Sequence, residues 1–220
     1  MSRSPVVARE PRAECLRCGR PAVVCWCRWV TPLDTRTRVV ILQHPRERSM
    51  PIGTARMAHH GLVRSTLHVG TDFDRDPGVQ AALHDPAAPA VLLYPGPQAR
   101  PLETEPPPGP VTLVVIDGTW SQARWLLRHN PSLQELPRFA LTSPPPSDYR
   151  IRPEPQLDFV CTIEALFHSL RLLEPDSLDL RPLLAPFRAM VDMQLEFQQR
   201  RRGALTYHAL CRAGLATGRP

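Results

Sequence analysis

The sequence predicts an α/β fold, in which a mostly parallel sheet is flanked by helices and preceded by a small N-terminal cysteine knuckle. Strand-like and helix-like patterns alternate along the chain, which is typical of parallel sheets. Val111–Ile116 is an unbroken apolar run, as expected of a strand buried on both faces. Four cysteines lie between Cys15 and Cys27, close enough in sequence to bind one metal ion. At 220 residues, the chain can form one domain with a small appendage.

Composition and charge narrow the classes of function. The net charge is +6 at pH 7, and all 27 basic residues are arginine. A positive balance favours a polyanionic partner such as RNA. No apolar stretch approaches the roughly 20 residues that a membrane helix needs, and Met1–Pro5 does not begin a signal peptide. We therefore expect no membrane partner and a cytoplasmic location.

The first thirty residues divide into two parts. Residues 1–12 are polar and without periodicity, so we expect them to be disordered. Residues 13–30 carry the knuckle, whose cysteines are Cys15, Cys18, Cys25 and Cys27. In a cytoplasmic chain such a cluster favours metal binding over disulfides. Four thiolates suit tetrahedral zinc and leave no open position for catalysis, so a structural zinc is expected. The alternative is four reduced thiols without a metal.

Periodicity and turn residues predict the elements of the sheet and its helices. Strands are expected at Thr37–Gln43, Ser65–Val69, Ala90–Tyr94, Val111–Ile116 and Phe139–Leu141. Helices are expected at Thr54–Val63, Ser121–His129, Cys161–Leu173 and Leu183–Arg202. The last helix should end before Gly203, and the proline-rich segments 100–110 and 142–148 should be surface loops. The main domain then spans residues 31–203, and residues 204–220 form a C-terminal tail.

Three predicted strands end in polar or glycine-containing turns. These turns are His44-Pro45-Arg46-Glu47, Tyr94-Pro95-Gly96 and Asp117-Gly118-Thr119-Trp120. Because the carboxyl ends of parallel strands meet at one edge of a sheet, the turns could line one pocket. Asp117 could act in that pocket, or Asp117 or Thr119 could merely cap the following helix, and the spacing leaves both open. No dinucleotide fingerprint is present, and the absence of lysine excludes a phosphate-binding loop.

Six motifs occur in one order and carry a family resemblance. They are the cysteine knuckle, His44-Pro45-Arg46-Glu47 with Gly53-Thr54-Ala55-Arg56, Leu93-Tyr94-Pro95, Asp117-Gly118-Thr119-Trp120 with Arg124, Tyr149-Arg150-Ile151-Arg152-Pro153, and Cys161-Thr162-Ile163-Glu164-Ala165. Together they resemble the DTW-domain family, over roughly Cys15 to Arg202. The chain departs from the family pattern at Cys161, where serine is usual. A thiol is a weaker hydrogen-bond donor than a hydroxyl, so a polar contact there is in doubt.

The resemblance implies a fold and an activity. Residues 31–203 would be the catalytic domain, related to the SPOUT class of RNA-modifying enzymes and possibly knotted near its C-terminus. The implied enzyme is a tRNA-uridine aminocarboxypropyltransferase. Such an enzyme moves the 3-amino-3-carboxypropyl group of S-adenosylmethionine to N3 of a tRNA uridine and releases methylthioadenosine. The expected partners are therefore tRNA and S-adenosylmethionine, and no obligate protein partner is evident.

The catalytic residues expected from this resemblance are Asp117, Thr119 and Trp120. Uracil N3 is protonated at neutral pH, so Asp117 is the candidate base or strong acceptor. The alternative is that Asp117 holds cofactor or ribose hydroxyls. Trp120 could stack on uracil or adenine, or it could be a core residue that packs the helix on the sheet.

Cofactor and RNA contacts complete the expected site. For the cofactor we expect Leu93, Tyr94, Pro95, Gly118, Arg152, Thr162 and Glu164, with Glu164 alternatively completing a helix cap. For the tRNA we expect His44, Arg124, Arg150, Arg200, Arg201 and Arg202, with Arg17, Arg20 and Arg28 of the knuckle extending the surface. The arginine triplet could instead be a solvated helix end.

Two other functions remain open on the sequence. The first is an S-adenosylmethionine-dependent RNA methyltransferase, which would use the same fold and cofactor but release S-adenosylhomocysteine. The second is a non-catalytic, zinc-containing RNA-binding module, which would bind no cofactor and would not depend on Asp117. The clustering of polar strand ends disfavours the second, because a binding module needs no such pocket.

Overall fold

A computed structural model describes residues 13–151 and 160–212, with side chains as far as residue 200. Its centre is a six-stranded sheet in the order β2-β1-β5-β3-β6-β4, in which every pair of neighbouring strands is parallel. The strands are β1 Arg38–Gln43, β2 Ser65–Val69, β3 Ala90–Leu93, β4 Arg100–Pro101, β5 Thr112–Asp117 and β6 Arg138–Ala140. The predicted parallel α/β fold is therefore confirmed.

Within the described ranges, six α-helices flank the sheet. They are α1 Ala55–Gly61, α2 Pro77–Leu83, α3 Trp120–His129, α4 Pro131–Gln134, α5 Thr162–Leu173 and α6 Ala185–Arg212. Short 3-10 helices occur at Ala22–Val24, Cys27–Trp29, Pro45–Glu47 and Arg181–Leu184. No helix within the described part of the chain is long and apolar enough to cross a membrane.

The sheet is buried on both faces. On β5, Leu113 and Val115 belong to one hydrophobic cluster, which also includes residues of α1, α5, α6 and the knuckle. Val114 belongs to a second cluster, formed with residues of α2, α3 and α4. Successive side chains of a strand point to opposite faces, so an unbroken apolar run fills both layers. The sequence-based interpretation of this run is confirmed.

Most predicted elements are present, with three differences. The helix expected to end at Arg202 runs through Gly203 to Arg212, because one glycine costs only about 1 kcal/mol in a long helix. The segment expected to be a loop from Arg100 begins with the two-residue strand β4. Helices α2 and α4 were not predicted, although each has a proline in its first turn and Asp76 caps α2. Residues 1–12, expected to be disordered, lie outside the described residues.

Candidate active site

The three polar turns meet at one edge of the sheet, as the sequence predicted. Strand β5 lies between β1 and β3, so the segments after Gln43, Leu93 and Asp117 are neighbours. They border a cavity of about 650 Å³, within the range of small-molecule sites. Its lining includes eight of the expected site residues: Leu93, Tyr94, Pro95, Asp117, Gly118, Thr119, Trp120 and Thr162. The lining also includes residues of β5 and α3, the segment after β1, residues between 140 and 149, and residues around the start of α5.

Asp117 lies at the base of this cavity and is held from two sides. Its side chain is 7% exposed. Gln43, its register partner on β1, donates from Nε2 to Asp117 Oδ2 at 2.9 Å. Thr162, at the start of α5, donates from its hydroxyl to Asp117 Oδ1 at 2.5 Å. Each carboxylate oxygen therefore has one donor and keeps a lone pair, so the carboxylate is both oriented and able to accept a further hydrogen bond.

Thr119, and not Asp117, caps helix α3. The Thr119 hydroxyl accepts from the backbone N–H of Gln122 at 3.4 Å, and the Gln122 side chain accepts from the backbone N–H of Thr119 at 2.6 Å. This reciprocal pair is a capping box. Gly118 makes it possible, since a Cβ there would lie 3.1 Å from both Cβ and Oε1 of Gln122. The possibility that Asp117 serves as the cap is excluded.

Two aromatic side chains stand at the mouth of the cavity. Trp120 is 40% exposed, so the alternative that it is a core residue is wrong. Its ring meets that of Tyr94 edge to face, with 6.2 Å between centroids. Both rings offer flat surfaces on which a nucleobase could stack.

Glu164 lies below the cavity and organises the segment that leads to α5. It is 3% exposed, and its carboxylate accepts from the Ser147 hydroxyl at 2.7 Å, the Asp148 N–H at 2.7 Å and the Cys161 N–H at 3.0 Å. With Cys161 as N-cap, this is the capping box that the sequence left as an alternative for Glu164. Burial raises the pKa of the Cys161 thiol well above its usual value, so this side chain is a neutral thiol at pH 7.

The described arginines among those expected at the site lie around the cavity and do not line it. Arg124 is exposed on α3, and Arg150 pairs with Asp192 of α6 at 2.7 Å. Arg200 pairs with Glu196 at 2.5 Å. His44 caps the 3-10 helix that follows β1, where its Nδ1 accepts from the Arg46 N–H at 3.2 Å. Three expected arginines lie outside the residues that the structure describes. Arg152 is not described at all, and Arg201 and Arg202 are described only in their backbone.

Sequence reasoning missed several residues that line the cavity or contact Asp117. Gln43 was counted only as the end of a strand, and its contact with Asp117 depends on the register of two strands distant in sequence. Tyr149 lines the cavity and donates its hydroxyl to the carbonyl of Ile52. Glu47 also lines it, although it was not among the expected site residues. Tyr149 and Glu47 lie within motifs that carry the family resemblance, and this is the signal in the sequence that could have identified them.

The four cysteines of the knuckle form a second candidate site. Their sulfur atoms all lie within 4.8 Å of one another, and Cys15–Cys27 and Cys18–Cys25 are each separated by 3.8 Å. Four thiolates around zinc, each about 2.3 Å from the ion, would be about 3.8 Å apart in a regular tetrahedron. Backbone N–H groups of Cys18 and Arg17 lower the pKa of the Cys15 thiol to about 6, whereas burial raises the pKa of the Cys18 and Cys27 thiols. The donor set and its spacing thus fit a closed zinc site.

Fold and sites together define an α/β protein with a cavity at the carboxyl edge of a parallel sheet and a cluster of four cysteines that could hold a metal ion. Residues 12–195 match the DTW domain, which includes both the knuckle and every strand of the sheet. The chain belongs to the DTW domain family.

Named relatives support this assignment over most of the chain. It is 36% identical over 200 residues to tRNA-uridine aminocarboxypropyltransferase 2 of Mus musculus, covering 87% of this chain and 67% of the relative. It is 34% identical over 193 residues to the protein of the same name in Drosophila melanogaster, covering 84% and 76%. It is 26% identical over 223 residues to tRNA-uridine aminocarboxypropyltransferase A of Arabidopsis thaliana, covering 86% and 84%. No solved structure is significantly similar to this chain.

Proposed function

We propose that this protein is a tRNA-uridine aminocarboxypropyltransferase. It takes the 3-amino-3-carboxypropyl group of S-adenosylmethionine, attaches it to N3 of a uridine in tRNA and releases methylthioadenosine. The names of its relatives supply the reaction class. The observation that carries the proposal to this chain is the buried, doubly hydrogen-bonded Asp117 carboxylate inside a cavity built from the motifs of the family.

The reaction is a displacement at an sp³ carbon. The bond from uridine N3 to the transferred carbon forms as the bond from that carbon to the sulfonium sulfur breaks. The electron pair of the broken bond stays on sulfur, which becomes the neutral thioether of methylthioadenosine, and the N3 proton goes to a base. Because the sulfonium is already an activated leaving group, the protein mainly has to position the reactants and take the proton.

Asp117 is the proposed base. Gln43 and Thr162 hold its carboxylate in one orientation through hydrogen bonds to both oxygens. The remaining lone pairs can accept the N3 hydrogen of a uracil in the cavity. Asp117 and Glu47 are the charged residues that line the cavity among those the structure describes, and this negative pair favours a cationic sulfonium ligand.

The other proposed ligands have three roles. Trp120 and Tyr94 are proposed to stack on the two bases of the reaction, the adenine of the donor and the target uracil. Leu93, Pro95, Gly118, Thr119 and Thr162 are proposed to shape the cofactor subsite. Arg152 remains the proposed partner of the donor carboxylate, on the basis of the family motif alone and of the bidentate geometry of arginine.

We also propose that the fold is SPOUT-related and that its C-terminal segment is knotted. The proposal is supported by a wholly parallel sheet with β5 inserted between β1 and β3. It is also supported by the chain after β6, which returns to the cavity through Leu141, Pro144 and Cys161. An experimental structure with the donor bound would test this. The knot would be refuted if the C-terminal segment ran outside the neighbouring loops and did not thread through them.

The knuckle is proposed to hold one structural zinc ion, with Cys15, Cys18, Cys25 and Cys27 as ligands. Its four thiolates would close the coordination shell, so the ion would stabilise the module without taking part in transfer. The module packs on the main core through Trp26, which is 2% exposed, and Arg56 of α1 donates to the carbonyl of Cys18 at 2.9 Å.

The decisive experiment is incubation of the purified protein with S-adenosylmethionine and tRNA. Mass spectrometry of the digested nucleosides should show uridine with the added mass of an aminocarboxypropyl group, and methylthioadenosine should appear in equal amount. Formation of S-adenosylhomocysteine and a methylated nucleoside would instead identify a methyltransferase. If the protein bound tRNA, formed neither product and showed no binding of S-adenosylmethionine, it would be identified as an RNA-binding module.

A further inference from the structure

The outer face of α3 is exposed along its whole length. Positions 120 and 121, 124 and 125, and 128 and 129 are all exposed, whereas Ala123, Leu126 and Leu127 are buried against the sheet. This spacing of three to four residues places the exposed side chains on one stripe. We call this stripe, from Trp120 to His129, the α3 ridge.

The α3 ridge is positively charged. Helix α3 contains no acidic residue, and neither Arg124 nor Arg128 pairs with a carboxylate among the residues that the structure describes. Many other exposed arginines of this chain are paired, such as Arg150 with Asp192. Two exposed, unpaired guanidinium groups one helical turn apart are therefore available for phosphates.

The ridge also carries a preformed stacking surface. The rings of Trp125 and His129 lie parallel, with 4.0 Å between centroids and 17° between planes. The His129 ring is anchored because its Nδ1 bonds to the carbonyl of Trp125 at 2.8 Å. Trp125 is nevertheless 39% exposed, so the indole is held in place and accessible to solvent. A fixed aromatic face beside arginines is the arrangement that binds unpaired bases.

The ridge is continuous with the mouth of the cavity. Trp120 and Ser121 line the cavity, and Arg124 and Trp125 follow them by one turn on the same side of the helix. At 1.5 Å per residue, Arg128 lies about 12 Å along the helix from Trp120. An RNA strand whose uridine occupies the cavity could therefore have its neighbouring nucleotides on the ridge.

We infer that the α3 ridge binds the single-stranded nucleotides that flank the target uridine. Arg124 and Arg128 contact phosphates, and the Trp125–His129 pair stacks on one unpaired base. This inference rests on the proposed function, since it takes tRNA as the substrate. Of these contacting residues, only Arg124 was expected from the sequence, and the ridge adds Arg128 and the Trp125–His129 pair without using the arginine triplet at residues 200–202.

Two sets of substitutions test the ridge. In the first, Arg124→Gln with Arg128→Gln should weaken tRNA binding and lower the slope of log affinity against log salt by about 1.4–1.8, since each phosphate contact contributes about 0.7–0.9. In the second, Trp125→Ala should weaken tRNA binding by about 5- to 100-fold, and Trp125→Tyr should restore most of it. The matched control is Arg171→Gln, an exposed arginine on α5 that pairs with no carboxylate in the described chain.

The readouts are tRNA affinity by fluorescence anisotropy at several salt concentrations, S-adenosylmethionine affinity by calorimetry, and the thermal melting temperature. The inference requires weaker tRNA binding with unchanged donor binding and folding, and an unaffected Arg171→Gln variant. Unchanged tRNA affinity in both sets would overturn it. It would also be overturned if the substitutions changed only the self-association of the protein, as measured by sedimentation. If the wild type transfers no aminocarboxypropyl group but the ridge variants still lose tRNA, the proposed activity fails and the RNA surface stands.

Discussion

Replacing Asp117 by asparagine removes a negative charge from the cavity with little change in shape. The structure indicates that both hydrogen bonds of this side chain can survive the change. Thr162 can still donate to the asparagine oxygen. Gln43 can rotate its amide by half a turn, so that its Oε1, which is buried without a partner among the described residues, accepts from the new Nδ2.

The expected effect on stability is therefore small. Two charge-assisted hydrogen bonds become neutral ones, a loss of about 1 kcal/mol each, which is partly offset because no charge remains to be buried. The free energy of unfolding should fall by about 2 kcal/mol or less, or at most about 8 °C in melting temperature for a chain of this size. Asp117→Leu should be worse, because the Gln43 amide and the Thr162 hydroxyl would both lose their acceptor.

The expected effect on catalysis is large. A positioned general base contributes about 10²- to 10⁴-fold, so kcat for methylthioadenosine release should fall by that factor. Donor affinity, measured by calorimetry, should change less than about threefold if Asp117 acts only on uracil. Unchanged turnover in Asp117→Asn would refute its role as the base. A loss of donor affinity of tenfold or more, with kcat preserved at saturating donor, would place the carboxylate on the cofactor.

Three further substitutions test the supports of the site. Cys18→Ser should release the metal, seen as loss of one zinc per chain by atomic emission, and should lower the melting temperature strongly because zinc binding supplies folding energy. Cys161→Ser should raise the free energy of unfolding by about 0.5–1 kcal/mol in urea denaturation, because serine is a better N-cap. Glu164→Ala should cost about 3–5 kcal/mol, because three donors lose one buried acceptor, and protease cleavage at residues 142–151 should accelerate.

Each of these expectations has a matched comparison. Cys161→Ser should leave tRNA affinity unchanged, and a loss of stability there would mean that the thiol is required by its packing. Glu164→Gln keeps an acceptor and should be milder than Glu164→Ala, so equal losses would contradict the hydrogen-bond account. If Cys18→Ser retained full metal content and stability, the cluster would not be a four-thiolate zinc site.

Much of the architecture could be predicted because it depends on local patterns. The apolar run Val111–Ile116 required burial on both faces, and that requirement led to a parallel sheet. The carboxyl ends of such strands share an edge, so the turns after Gln43, Leu93 and Asp117 could be placed together before their order was known. The four cysteines could likewise be grouped by their spacing alone.

The roles of individual side chains could not be predicted in this way. Asp117 and Thr119 are both good N-caps, and only the backbone path into α3 assigns the cap to Thr119. In the sequence, Glu164 is equally consistent with a helix N-terminus that contacts a ligand and with a capping box. Two of its three donors, Ser147 and Asp148, lie 17 and 16 residues earlier, so no local pattern reveals them.

The sequence by itself determined the layers of this protein, the edge at which its cavity lies and the family to which its motifs belong. Only the tertiary structure decided what holds Asp117, because Gln43, 74 residues away, reaches it through strand register and Thr162, 45 residues away, reaches it from the start of another helix. The physical reason is the distance along the chain over which each kind of interaction acts. Periodicity reports which face of an element is buried, whereas a hydrogen bond between distant segments depends on how those faces are stacked.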